Sequence, residues 1–251
     1  MKRVFLRVAY DGTEFVGWQF QPDKRTVEGE LNRAIEELTG EKVTVIGASR
    51  TDSGVHSMGN VAVFDTDSTI PAEKFMYAIN TKLPGDISVT ESKQVSSDFH
   101  PRHCNSKKTY RYKIIESRIN DPLRRRFAYF CPIKLDDKKM NEAASYLIGE
   151  HDFKSFCSVH TQAETTVRTI FDAKVKRVGD EVTVEVTGAG FLYNMVRIIA
   201  GSLMEIGSGK YEPSHIKEVL EKTDRCEAGP TAEPQGLTMV GIIFEGEKGY
   251  E

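Results

Sequence analysis

One short string crowds three chemically useful residues together. Residues 47–56 read GASRTDSGVH and bring Arg50, Asp52 and His56 within seven positions, between two β-rich runs. Aspartate in a Thr-Asp-Ser-Gly sequence commonly bonds its own backbone as a turn former. The same carboxylate beside a cation can also serve as a nucleophile. A second signal lies in the other half of the chain. Residues 191–204, FLYNMVRIIAGSLM, hold a single charge, Arg197, in an otherwise nearly apolar stretch. A buried guanidinium without a carboxylate is strongly disfavoured, so an acidic side chain from elsewhere should meet it. Asp52, Asp152 and Asp172 are all open as that partner.

A third signal is charge. Residues 102–126 carry nine positive side chains against Glu116 and Asp121, a net of +7 in a chain whose formal net charge is -3. Lys107, Lys108, Arg111 and Lys113 interleave with Tyr110 and Tyr112. Cations neutralise phosphates and aromatic faces stack on bases, so the pattern suits a polyanion with exposed bases. A solvated strand edge blunted by charge would look the same. The string HPRHC at 100–104 imitates metal-ligand spacing but lacks a second pair, and reads as an ordinary polar loop. FKSFCSVH at 153–160 sets Cys157 near His160 with nothing to orient them as a nucleophile and base. The four cysteines, Cys104, Cys131, Cys157 and Cys226, form no CxxC pair and are expected as reduced thiols.

These residues need elements to position them. With 39% hydrophobic and 28% charged residues in 251, the chain has the composition of a globular protein of one large or two small domains. No apolar run approaches the ~18 residues of a membrane span. The basic start is interrupted by Arg7 and Asp11, unlike a signal peptide, and a cytoplasmic location is expected. Alternation and β-rich composition predict strands at 4–10, 42–48, 60–66 and 86–95, and helical spacing predicts helices at 26–40 and 71–83. Thr26 reads as a cap and Gly40 as a stop. The order is βαββαβ.

The second half repeats it. Strands are predicted at 109–115, 167–178, 181–187 and 237–244, and helices at 137–148 and 191–206, with a short added helix at 213–222. The turn Gly179-Asp180 marks a hairpin. The expected fold class is α+β: two ferredoxin-like βαββαβ halves related by a pseudo-two-fold, with antiparallel sheets, helices on one face and a central RNA-binding cleft. The halves are residues 1–103, carrying the Asp52 loop, and 104–251, carrying the insertions. A non-catalytic pair of RRM-like units would share this order, but NVAVFDT and EVTVEVT supply one aromatic between them. A nucleotide-binding enzyme using Gly188-Ala189-Gly190 would leave the basic stripe unexplained.

Four strings together resemble one family. YDGTEFVGWQFQP at 10–22, RTDSGVHSMGN at 50–60, KKTYRYKI at 107–114 and GAGFLYNMVRIIAG at 188–201 are similar, in order and spacing, to the bacterial tRNA pseudouridine synthase A family. The likeness runs from residue 4 to 244. It implies an enzyme that isomerises uridine to pseudouridine at positions 38, 39 and 40 of the tRNA anticodon stem-loop, as a homodimer without metal or cofactor. By the same resemblance Asp52 is the essential aspartate and Tyr110 packs on the target uracil. Arg197 pairs with the aspartate, and Arg50 assists RNA entry and base flipping. Lys107, Lys108 and Arg111 would hold the RNA. Ser49 stands where the family usually has Gly, and a left-handed backbone there would cost Ser about 1 kcal/mol or more. Ser57 and Asn60 stand where many relatives have Ala and Gln.

Overall fold

The computed structural model describes residues 1–158 and 163–245. It is a mixed α+β fold in two compact units, Met1–Ser106 with Met239–Glu251, and Lys107–Thr238. The sequence boundary at 103/104 lies close to the first crossing, whereas most of the last strand groups with the first unit. Among the described residues no helix is long and apolar enough to cross a membrane.

In the first unit, β1 (Lys2–Tyr10) runs beside β3 (His56–Thr66) and β4 (Ile87–Val95), antiparallel to both. The short β2 (Ile46–Gly47) pairs with the other edge of β3. Alternate residues Val4, Leu6, Val8 and Tyr10 turn to one face and pack on α1 (Val27–Thr39) and α2 (Phe75–Asn80), through Leu31, Ile35, Phe75 and Ile79. Phe5 takes the opposite face, where Phe99 meets it and in turn meets Phe244 edge-on.

Helix α1 starts and stops where its local chemistry says. Thr26 accepts from the Gly29 N–H, and Gly40 closes the helix at φ +74°. The run at 42–48 is a strand only at Ile46–Gly47: the Val45 N–H donates to Asn32 Oδ1, so it leaves the ladder. The helix expected at 71–83 is a 3-10 turn, Ala72–Lys74, followed by the six residues of α2.

The second unit is an antiparallel run of β5 (Ser106–Glu116), β9 (Glu181–Gly188), β8 (Val167–Val178) and β7 (Gly149–Asp152). The hairpin turns at Gly179, φ +61°. A three-residue β6 (Tyr129–Cys131) lies parallel to β5. Neither β6 nor β7 has a periodicity long enough to announce it. Helix α3 (Asp137–Ser145) packs against β8 and α4 (Met195–Gly207), and α5 (His215–Lys222) follows. The final strand is β10 (Leu237–Phe244).

Helix α4 begins four residues later than its apolar spacing suggests. Asn194 sits in the left-handed region at φ 61°, which breaks the helical path and makes residues 191–194 a loop. Arg197 is therefore in the first turn of α4, not mid-helix.

Candidate active site

Asp52 lies on the loop that leads into β3, and residues 10–18 grip that loop. The Tyr10 and Thr51 hydroxyls are 2.7 Å apart, both buried. The Thr51 carbonyl accepts from the Trp18 N–H at 3.1 Å. Beyond the aspartate, the Phe15 carbonyl accepts from Gly54 N–H and from Ser53 Oγ. His56 Nδ1 accepts the Gly12 N–H at 2.9 Å. The turn itself closes with Val55 N–H donating to the Asp52 carbonyl.

Two glycines permit this approach. A Cβ on Gly12 would lie 2.0 Å from the Val55 carbonyl oxygen. Gly17, at φ +81°, would place one 2.8 Å from the Thr51 oxygen. The string at 10–18 thus exists to hold the string at 50–56, and the buried Tyr10, Phe15 and Trp18 make the grip rigid. Asp52 itself is half-buried and Arg50 is exposed. Ser49 is not among the residues with positive φ, so the expected backbone cost does not arise there. Asn60 Nδ2 donates to the Ser49 carbonyl at 2.9 Å, a second tie on the same loop.

In the second unit, Tyr110 and Tyr112 point to the same face of β5 with different duties. Tyr112 is fully buried, and its hydroxyl donates to the Glu233 carbonyl at 2.8 Å. Burial pushes its phenol well above the usual tyrosine range, so it is a neutral core residue. Tyr110, two positions nearer the strand's start, packs edge-on against Phe191 with centroids 5.0 Å apart. It is the one of the pair beside the 188–194 loop.

Arg197 is half-buried rather than buried. Its Nε donates to the Ala232 carbonyl at 2.7 Å and its Nη1 to Asn194 Oδ1 at 2.8 Å. Asn194 in turn donates from Nδ2 to Ser158 Oγ. The left-handed Asn194 that breaks the helix is thus the residue that aims the arginine. It carries no charge and was not singled out in sequence, although asparagine ahead of an apolar run is a capping signal. Of the three carboxylates open as the arginine's partner, Asp152 accepts from the Lys154 N–H, and Asp172 binds Lys174 Nζ at 2.9 Å.

The cationic stripe is less positive than its sequence. Arg111 pairs with Glu185 at 2.9 Å and Lys113 with Glu181 at 3.2 Å across the β5–β9 ladder. Arg124 is held by Asp121 and Asp180. Lys107 lies over the Phe171 ring at 5.1 Å. Arg102, Arg118 and Arg125 are exposed. His100 and His103 stack at 4.0 Å, and the Cys104 thiol donates to the His100 carbonyl. Among the described residues no group of three or more His, Cys, Asp or Glu could hold a metal. Cys157 is buried, and His160 lies outside the described residues.

Residues 7–104 and 143–245 match the family model described as tRNA pseudouridine synthase, and the chain belongs to that family, enzymes that isomerise uridine to pseudouridine. Its relatives narrow this to the A type. Proteins named tRNA pseudouridine synthase A from Acetivibrio thermocellus and Brevibacillus brevis are 48% and 46% identical to it, each over 97% of this chain and 100% of the relative. That of Caldicellulosiruptor bescii is 43% identical over the same shares. Among solved structures, the archaeal box H/ACA Nop10–Cbf5 complex aligns at 12% identity with a TM-score of 0.33, covering 94% of this chain and 55% of that one. The RRM-like and nucleotide-binding readings are set aside by the family.

Proposed function

We propose that this chain converts uridine to pseudouridine at positions 38, 39 and 40 of the tRNA anticodon stem-loop, in the cytoplasm and as a homodimer, with Asp52 as its reacting carboxylate. The observation that carries the role of Asp52 is the grip on its loop. Five backbone or hydroxyl contacts from residues 10–18 hold the loop of a half-buried aspartate that caps no helix. Such ordering is costly for a mere turn and useful for a nucleophile that must meet its target in one orientation. The ferredoxin-like reading of the halves is supported in the first unit by its strand order β4-β1-β3 with β2 on the far edge of β3. In the second unit it is supported by the antiparallel β5-β9-β8 run with α3 and α4.

The chemistry asks for one carboxylate. Pseudouridine formation breaks the C1′–N1 bond, turns the uracil and joins its C5 to C1′, after which the C5 proton passes to solvent. Asp52 would attack uracil C6 or C1′, or accept a 2′ proton; water is the wrong nucleophile, so a glycosidase-like carboxylate pair would lose the base. Arg197 is the proposed cation that keeps Asp52 ionised. Tyr110 is the proposed platform for the detached uracil, a stacking contact worth ~1–3 kcal/mol. A uridine within a stem must first be flipped out, a step assigned to Arg50. Lys107, Lys108 and Arg111 are assigned to the RNA backbone.

Chemical mapping of pseudouridine in tRNA incubated with the protein tests the substrate. Product at positions 38–40 is expected. Product confined to another loop would overturn the assignment.

A further inference from the structure

Arg168, the second residue of β8, is held in a way its neighbours do not explain. Its Nη1 donates to two carbonyls of its own chain, Thr165 at 2.9 Å and Val167 at 2.6 Å. The guanidinium direction is thereby set by backbone. Among the described residues no carboxylate pairs with it, and its Nε and Nη2 meet no protein acceptor. Burial lowers its pKa below the usual arginine range, opposed only by the Cys157 sulfur. Arg3, Arg25, Arg33, Arg124 and Arg177 shift upward instead, because a carboxylate binds each of them. A half-buried cation without a counter-charge is costly to keep unless an anion arrives from outside.

The surroundings leave room for one. Gly190 lies across from the side chain, and a Cβ there would sit 3.9 Å from both Cδ and Nε of Arg168 with nothing nearer. Gly190 is not among the glycines of positive φ, so its backbone does not demand glycine. The missing side chain keeps the flank of the guanidinium open. Gly190 also precedes Phe191, whose ring meets Tyr110 edge-on at 5.0 Å. Arg168, Gly190, Phe191 and the buried Tyr110 therefore follow one another within the second unit.

We propose that Arg168 binds a backbone phosphate of the RNA strand whose uridine packs on Tyr110. The inference rests on the reading of Tyr110 given above. A planar guanidinium with Nε and Nη2 both available matches two phosphate oxygens in a paired hydrogen bond. Arg168 differs from Arg111 and Lys113 in having no carboxylate partner among the described residues, whereas those two pair with Glu185 and Glu181.

The test is tRNA affinity against salt concentration for the native protein, Arg168→Gln, Arg168→Lys and Gly190→Val, with Tm recorded for each. Arg168→Gln should weaken binding about tenfold and make the slope of log K against log salt shallower by about one. The loss should fall on KM rather than kcat. Arg168→Lys should keep the slope and recover part of the affinity. Gly190→Val, which leaves the Thr165 and Val167 contacts alone, should weaken binding by covering the guanidinium. A folded Arg168→Gln protein with native affinity and slope would overturn the proposal. If that variant melts early, native affinity and slope in Gly190→Val overturn it instead. A loss confined to kcat would also overturn it. Failure of the native protein to bind tRNA would sink the proposed function rather than this inference.

Discussion

At the scale of single residues, the Asp52 loop is held by hydroxyls and glycines that carry no charge. Tyr10 reaches Thr51, the residue next to the aspartate, through a buried hydroxyl pair at 2.7 Å. Tyr10→Phe removes one hydrogen bond, worth about 1 kcal/mol, and loosens the carboxylate proposed to react. We expect kcat to fall roughly five- to tenfold while Tm moves by only a few degrees. A native kcat in Tyr10→Phe would show that the Thr51 contact does not order Asp52. Gly12→Ala is harsher, since its Cβ would strike the Val55 carbonyl. Overpacking of that kind costs ~1–3 kcal/mol, read as a fall in Tm. Asp52, Arg50 and Arg197 stand out in the sequence as candidates because charge in unusual company draws attention. Tyr10, Gly12, Trp18 and Asn194 were not legible as site residues, because their work is to accept or donate across tens of residues of chain. Arg168 escaped for the opposite reason: its cation looks like any other in a strand until its missing counter-charge is seen.

At the scale of elements, one arginine joins three of them. Arg177 on β8 donates to Asp137 at the start of α3, to Glu116 at the end of β5, and to the Leu135 carbonyl. The Arg177 hydrogen bond holds the Asp137 carboxyl below its usual range. For Glu116, burial acts to raise the pKa, but the Leu135 N–H and Arg177 outweigh it and the net shift is downward. Carboxylates with depressed folded-state pKa values stabilise the fold above the unfolded value near pH 4. That stability is lost as pH falls through the depressed folded values, because the unfolded chain binds protons first. Arg177→Met should therefore cost about 1–3 kcal/mol at neutral pH and flatten the acid limb of the stability curve below about pH 4. An unchanged acid limb would mean that the clamp contributes nothing. The caps of α1 were readable because Thr26 and Gly40 act on neighbours within four residues. The run at 42–48 misled because alternation cannot reveal that Asn32 would take the Val45 N–H. The start of α4 misled because the apolar spacing continues through residues 191–194 while Asn194 turns left-handed.

At the scale of the whole molecule, charge is arranged more locally than composition suggests. The stripe at 102–126 nets +7 in sequence, yet carboxylates from β9 and the Gly179 turn hold Arg111, Lys113 and Arg124. RNA affinity should depend steeply on salt, because phosphate contacts release counterions. The exposed cations should carry more of that dependence than the paired ones. We expect Arg125→Gln to make the salt slope shallower by about one, and Arg111→Gln to change it by less. Equal effects would mean that Glu185 releases Arg111 when RNA binds. The mixed α+β class was readable from the order of elements; which charges cancel was not, since pairing across β5 and β9 joins residues some 70 positions apart.

Tritium release from tRNA labelled at uracil C5 tests Asp52 as the reacting carboxylate. The native protein should release tritium, and Asp52→Asn should bind the tRNA yet release none above background. Equal release from both proteins would contradict the claim.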